Sequence, residues 1–328
     1  MNTNTTNDNI KTNYAVSPLG NESVGVYDFS VLKKSFPIKS TNLTSFKLPN
    51  FEEVIKVKNQ QEYWACAAFA TSIILEYMNY TEKGSYTELS PGYIYGKHRS
   101  PSAKGSGMNM LILCNSLLNY GSVPTSVFSR IAEMPEMKKI VDQRPDLDEI
   151  AIPYRIKGFA QIKTANKTQK LEDVKLALIN TKAPLYCVIN ANTSQSHAIC
   201  VYGFETVNGK TQFLYQNSYG PNWGKKGRSS LSLEDLDHIV CFLDEKVSLP
   251  FKDVPEDAWF YKNILNLYSA GLVNGKTDTE FKPNDYITRA EVCAIIDRLI
   301  HNIDKVNSST ATSVEDRIKR IEEFVCLY

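Results

Sequence analysis

The sequence predicts an α+β fold in which a helical half, a β half and a small helical C-terminal module follow one another. Three observations carry this reading. The stretch "CAAFATSIILEYMNY", Cys66 to Tyr80, lacks proline and glycine and places Ala67, Phe69, Ile73, Ile74, Tyr77 and Met78 at helical spacing, as a largely buried helix requires. Beyond residue 183 the runs "APLYCVINA", "HAICVYGFETVNGKTQFLYQNS" and "SLEDLDHIVCFLDE" are short and β-rich. A fresh start follows at "LPFKDVPEDAWFYKNILNLYSAGLVNG", where Pro250, Pro255 and a new amphipathic stretch ending at Gly271 place a domain boundary near residue 248.

In chain order, residues 1–46 are rich in Asn, Thr and Ser and predict an extended, weakly structured arm that does not fold alone. Within the main domain, residues 47–247, "LSPGYIYGKH" offers Ser90 as N-cap and Pro91 as first helical residue, and "MLILCNSLLNYGSVP" ends at Gly121 and Pro124, so two more helices follow the long one. Asn208-Gly209 joins two β runs as a tight hairpin, since both residues tolerate positive φ. In the C-terminal module, residues 248–303, Thr288 and Glu291 have the spacing of a capping box leading into "VCAIIDRLI". Residues 304–328 read as a charged helical tail with an apolar end.

A length of 328 residues suits two domains with a sizeable core. With 37 basic and 36 acidic side chains the net charge is +1, so neither nucleic acid nor a membrane surface is an expected partner. The N-terminus has no Sec signal pattern and no run spans a bilayer, so synthesis in the cytoplasm is expected, with action at the wall or release by lysis left open. Seven cysteines without a CxxC pair argue against a disulfide framework and for a reducing site of synthesis.

A lone Cys66 at the start of an apolar run fits a buried structural residue or a nucleophile in the first turn of a helix, where the positive end of the dipole favours thiolate. His197 opens a β run and is the best base among four histidines; His98 and His238 lack an accompanying motif. In "QNSYGPNWGKKG", the amide of Asn217 can hold the second ring nitrogen of His197, and Trp223 can shield that bond from water. The separations are 131 residues from Cys66 to His197 and 20 from His197 to Asn217. A papain-type cysteine precedes its His and Asn by roughly 130–150 residues. No cluster has metal-ligand spacing, and no cofactor is expected. Cys114, Cys187, Cys200, Cys241 and Cys293 read as structural, Trp259 as packing and Glu291 as a cap.

With these residues in order, residues 48 to about 246 resemble the papain-like cysteine peptidases, whose cleft lies between a helical and a β-barrel subdomain. The resemblance implies Cys66 as nucleophile, His197 as base and acid, Asn217 as orienting group and Gln60, six residues before Cys66, as oxyanion-hole donor beside the Cys66 amide. It also implies that "KGSGMN" is a substrate strand, with Ser106 and Gly107 admitting a peptide backbone and Met108 edging a pocket. Where the family reads "GSCGSCWAF", Tyr63, Trp64 and Ala67 replace a disulfide cysteine, a glycine and a tryptophan, and Tyr219 stands where a tryptophan is usual. Residues 251 to about 300 resemble an S-layer homology module, which implies a secondary cell-wall polymer as partner. Two functions are therefore expected alternatives: an endopeptidase acting on peptide or protein through a thioester, with residues 1–46 as a short pro-segment, or a catalytically weak papain-like scaffold that binds a wall polymer or partner.

Overall fold

The computed structural model describes residues 26–98, 107–191, 196–244, 249–269 and 271–307. The helices are α1 (Phe29–Ser35), α2 (Phe51–Val54), α3 (Cys66–Lys83), α4 (Pro91–Lys97), α5 (Met110–Tyr120), α6 (Met134–Asp142), α7 (Asp146–Ala151), α8 (Lys167–Thr181), α9 (Tyr261–Ser269) and α10 (Arg289–Asn307). The strands are β1 (Val26–Asp28), β2 (Ser45–Lys47), β3 (Gly158–Gln161), β4 (Leu185–Ile189), β5 (His197–Val207), β6 (Lys210–Gln216), β7 (Arg228–Leu231) and β8 (His238–Leu243). They form one sheet in the order β1-β3-β8-β4-β5-β6-β7, with β2 added to the far part of β5. All pairings are antiparallel except β1 on β3.

Both sheet faces are covered, and this is why the strands read as nearly continuous apolar runs. Along β4, Tyr186 and Val188 enter the core shared with the helical half, while Leu185 and Cys187 enter the core beneath α8 and α1. Strand β5 alternates in the same way, with Ala198, Cys200 and Tyr202 on the first face and Ile199 and Val201 on the second. Its register on β6 shifts between Val201 and Gly203, just where β2 crosses. A Cβ at Gly203 would stand 2.5 Å from the Phe46 carbonyl oxygen, so only glycine admits β2 there.

In the helical half, α3 lies in the core over most of its length, from Ala67 to Asn79. Helix α4 starts as its sequence requires, with Ser90 Oγ accepting from the Tyr93 amide at 3.1 Å and Pro91 in the first turn. His98, for which the sequence offered no role, is buried and bonded at both ring nitrogens, to Ser116 Oγ at 2.8 Å and the Gly121 carbonyl at 2.6 Å. Burial holds its pKa down to about 4, against the Gly121 bond, so it is a neutral strut between α4 and α5.

Residues 26–46 depart from the expected weakly structured arm. Strand β1 adds to β3, and α1 buries Phe29, Leu32 and Phe36 in the core beneath the sheet. The spacing of those three residues, i, i+3 and i+7, is helical, but their partners lie more than 100 residues downstream. Lys33 binds the buried Asp173 of α8 at 2.6 Å, which pins α1 to the β half.

The opposite side of α1 carries Val31 into a third cluster, made otherwise of Phe251, Val254, Ile264, Tyr268 and Val273 of the C-terminal module. The arm thus lies between the two domains and packs into both. Within the module, the Asp253 carboxylate accepts the amides of Phe281 and Lys282 at 2.8 and 2.7 Å, joining its two loops. The capping box is present: Thr288 N donates to Glu291 Oε2 at 2.8 Å, and Glu291 N to Thr288 Oγ1 at 3.2 Å. Helix α10 passes the expected boundary at residue 303 and runs through Asn307; the tail from residue 308 lies outside the described residues. Trp259 does not pack as expected, because its ring meets only the edge of Phe260 and it is 85% exposed. No helix of the described residues is long and apolar enough to cross a membrane.

Candidate active site

The site begins where two loops run side by side. Gln60 N donates to the Ser218 carbonyl at 2.7 Å and Gly220 N to the Lys58 carbonyl at 3.0 Å, so the segment before α3 is tied to the segment after β6. After Gln61, at φ 55°, the chain turns through Glu62–Ala65 into α3. Ala65 at the N-cap has no side-chain oxygen, which leaves the first-turn amides of α3 without a side-chain cap.

Cys66 is the first residue of that helix and remains partly accessible. Burial pushes its thiol above the ordinary cysteine value, opposed by hydrogen bonds from the backbone amides of Ala198, Ala67 and Cys66 itself. The Ala198 contact brings the sulfur to the start of β5, next to His197. Of the other described cysteines, Cys114, Cys187, Cys200 and Cys241 are buried as a structural role requires, whereas Cys293, read as structural from the sequence, is exposed on α10.

His197 is buried and binds Asn217 Oδ1 through Nε2 at 2.7 Å. The same Oδ1 accepts the Ser218 amide at 2.7 Å, which turns the oxygen of the Asn217 amide toward the ring. Nε2 therefore carries the proton and Nδ1 keeps its lone pair, the arrangement a general base needs. Burial lowers the imidazole below its ordinary value, against the Asn217 bond, which raises it.

Gln60, carried only by the resemblance, is buried and held at both ends of its amide. Ser218 Oγ donates to Oε1 at 2.5 Å and Nε2 donates to the Tyr63 carbonyl at 2.8 Å. An NH₂ group has two protons, so one stays free for a developing oxyanion. Ser218, which sequence reasoning passed over inside "QNS", thus serves both the Asn217 and the Gln60 orientation.

Trp223 is partly buried, its ring centroid 5.9 Å from Tyr215 and 6.0 Å from Tyr219. The ring that lies on His197 is Tyr219, stacked at 4.7 Å and 24°, with Trp223 behind it. Of the expected substrate strand, Gly107 is exposed with open space where a Cβ would stand, and Met108 packs against the core of the helical half; Ser106 lies outside the described residues. Among the described residues no group of His, Cys, Asp and Glu side chains could hold a metal ion.

Two family models match this chain. "Papain family cysteine protease" covers residues 153–251 and "S-layer homology domain" covers residues 250–293. Chymopapain of Carica papaya is 26% identical over 219 residues, 61% of this chain and 58% of its own length. "Outer membrane protein alpha" of Thermotoga maritima is 40% identical over 55 residues, 17% of this chain and 14% of its own length. The chain thus spans under two thirds of the length of both relatives. Among solved structures, digestive procathepsin L 3 from Tenebrio molitor larval midgut shares the fold with a TM-score of 0.50 and 18% identity, over 62% of this chain and 71% of that one.

Proposed function

Given that this chain belongs to the papain family and carries an S-layer homology domain, we propose that it is a cysteine endopeptidase working through Cys66, His197 and Asn217. What supports this reading is the meeting of three elements: the Cys66 thiol at the uncapped start of α3 is acted on by the Ala198 backbone amide of β5, and the residue before Ala198, His197, is bonded by Nε2 to Asn217 after β6. In the proposed reaction the Cys66 proton passes to His197 Nδ1 and the sulfur attacks the scissile carbonyl. The imidazolium then gives its proton to the leaving amine, and water hydrolyses the thioester. The oxyanion lies between the free Gln60 N–H and the Cys66 amide. Labelling with an epoxide that alkylates activated thiols tests the reading, with exposed Cys293 as internal comparison. Modification at Cys66 well ahead of Cys293 at neutral pH is expected; equal or reversed labelling would favour a weak scaffold.

The module is the proposed anchor to a wall polymer. Trp259 at 85% and Tyr286 at 99% exposure offer ring faces suited to a carbohydrate chain. Purified protein is expected to co-sediment with wall polymer from a Gram-positive bacterium, and Trp259→Ala to release it; retention of the variant in the supernatant and the wild type alike would remove the polymer as partner.

A zymogen fits the family reading, and the fold constrains which residues can leave. Release at Ser45–Asn50 would unpair β1 and β2 and uncover Phe29, Leu32 and Phe36. Any self-cleavage of incubated wild-type protein that keeps the fold is therefore expected to leave β1 and all that follows it intact by mass spectrometry, while Cys66→Ala stays full length. Loss of 40–50 residues without loss of fold would return the whole arm to a pro-segment role.

A further inference from the structure

Trp64 stands two residues before Cys66, where the papain-like peptidases have glycine, and has no part in the reaction above. It is 58% exposed. Its neighbours are not: Gln60 and Ala65 are buried, and Tyr63 packs against the core of the helical half. The turn that leads from Gln61 into α3 therefore sends Tyr63 and Ala65 inward and leaves the Trp64 ring in water, between the oxyanion donor and the nucleophile. Trp223, by contrast, has Tyr215 and Tyr219 against its ring, whereas Trp64 has no ring contact among the described residues. An indole held in water beside a reacting centre presents apolar area that a bound chain can cover. We propose that Trp64 is a substrate-contacting specificity residue, whose ring receives the side chain of the residue that supplies the scissile carbonyl and favours a bulky apolar side chain there. The inference rests on the peptidase reading of Cys66 and His197 and names a substrate class for that site.

The two walls of the site decide which part of a substrate Trp64 meets. The leaving amine takes its proton from His197, so it lies toward the start of β5, where Tyr219 stacks on the imidazole. The acyl part stays bonded to Cys66, with its oxygen between the Gln60 and Cys66 N–H groups. Trp64 belongs to the loop that joins those two residues, on the helical-half wall and away from the leaving side. That loop is fastened from within, because Gln60 Nε2 donates to the Tyr63 carbonyl at 2.8 Å. The residue before Trp64 is thus held by the oxyanion donor itself, and the root of the indole is fixed relative to the carbonyl under attack.

A glycine in this place offers no side-chain surface, so the contact belongs to this chain and not to the family pattern. Covering one face of the indole with a Phe or Leu side chain removes apolar area from water on both partners. That suffices for a preference on the order of tenfold over glycine.

The test is a set of blocked peptides incubated with the full chain, identical except that the residue giving the scissile carbonyl is Phe, Leu, Ala or Gly, with the cut located by mass. The quantity read is the ratio of kcat/KM for Phe or Leu to that for Gly, in which a change in the amount of folded enzyme cancels. Wild type is expected to favour Phe and Leu on the order of tenfold, Trp64→Gly to lose that preference, and Trp64→Phe, with a smaller flat ring, to keep most of it. Ratios for the residue two before the cut, and for the one just after it, should not move in Trp64→Gly. An unchanged Phe-to-Gly ratio in Trp64→Gly would overturn the contact. So would a loss in Trp64→Phe as complete as in Trp64→Gly, or an effect confined to either neighbouring position. Cleavage by wild type with no ratio that depends on Trp64 refutes the contact alone, whereas no cleavage of any peptide by wild type refutes the peptidase on which it rests.

Discussion

Cys66→Ala and His197→Ala each abolish peptide cleavage, and the double variant is no worse than either single one. This is the expected result because the two side chains act as a unit: the sulfur is a poor nucleophile without a base to take its proton, and the base has no other substrate. Asn217→Ala should cost less, since it removes the 2.7 Å bond that fixes the tautomer of His197 but leaves both reacting groups in place. It also strands the Ser218 amide, so part of its effect is structural. Gln60→Ala should lower kcat on the order of 10²–10³-fold with a much smaller change in KM, as loss of one oxyanion donor does. Measurable turnover by Cys66→Ala would end the assignment, and an unchanged kcat in Gln60→Ala would take that amide out of the site.

Much of this site is readable from residues 59–80 and 197–218 alone, because the signals there are local. Helical spacing marks α3, and Asn208 and Gly209 turn between β5 and β6 at φ 51° and 74°, the conformation such a pair favours. What stayed hidden depends on contacts distant in sequence. Strand β1 is three residues of an N-terminal segment whose partner, β3, begins at Gly158, and nothing near Val26 announces that pairing. The sequence marks Trp223 as the shield of the His197–Asn217 bond, but the turn at Gly220, at φ 83°, leaves Tyr219 as the ring stacked on His197. A Cβ at Gly220 would crowd the Asn59 side chain at 3.2 Å, so the position of Tyr219 depends on how closely the two loops approach. Trp259 shows the converse case, since an aromatic residue next to a helix start reads as packing although it stands in solvent.

That close approach depends on a buried ion pair, and breaking it is expected to have the largest effect on stability. Glu76, fully buried on α3, accepts from Lys58 Nζ at 2.6 Å, from the Leu89 amide at 2.8 Å and from Tyr86 Oη at 3.1 Å. Lys58 Nζ also donates to the Leu89 carbonyl at 2.7 Å. Lys58 is two residues before Gln60, and its own carbonyl receives the Gly220 amide at 3.0 Å. The pair therefore fastens to α3 the segment that presents Gln60 and, through the Lys58 carbonyl, the loop that presents Tyr219. Glu76→Ala takes the acceptor from the buried Leu89 amide, from the part-buried Tyr86 hydroxyl and from the buried Lys58 ammonium, which is left with the Leu89 carbonyl and Glu88 at 3.9 Å, and should cost about 3–5 kcal/mol in denaturant unfolding. Lys58→Met should cost a comparable amount by leaving the carboxylate unpaired. The double variant Lys58→Met/Glu76→Leu removes both charges and should be clearly less destabilised than the sum of the single ones, though not restored, because the Leu89 amide and the Tyr86 hydroxyl still lose their partner. Under conditions where Glu76→Ala remains folded, its kcat should fall further than its KM rises, since what loosens is the placement of Gln60. Additive single and double variants, or a Glu76→Ala protein with the wild-type unfolding midpoint, would show that the two loops are held by their backbone bonds alone.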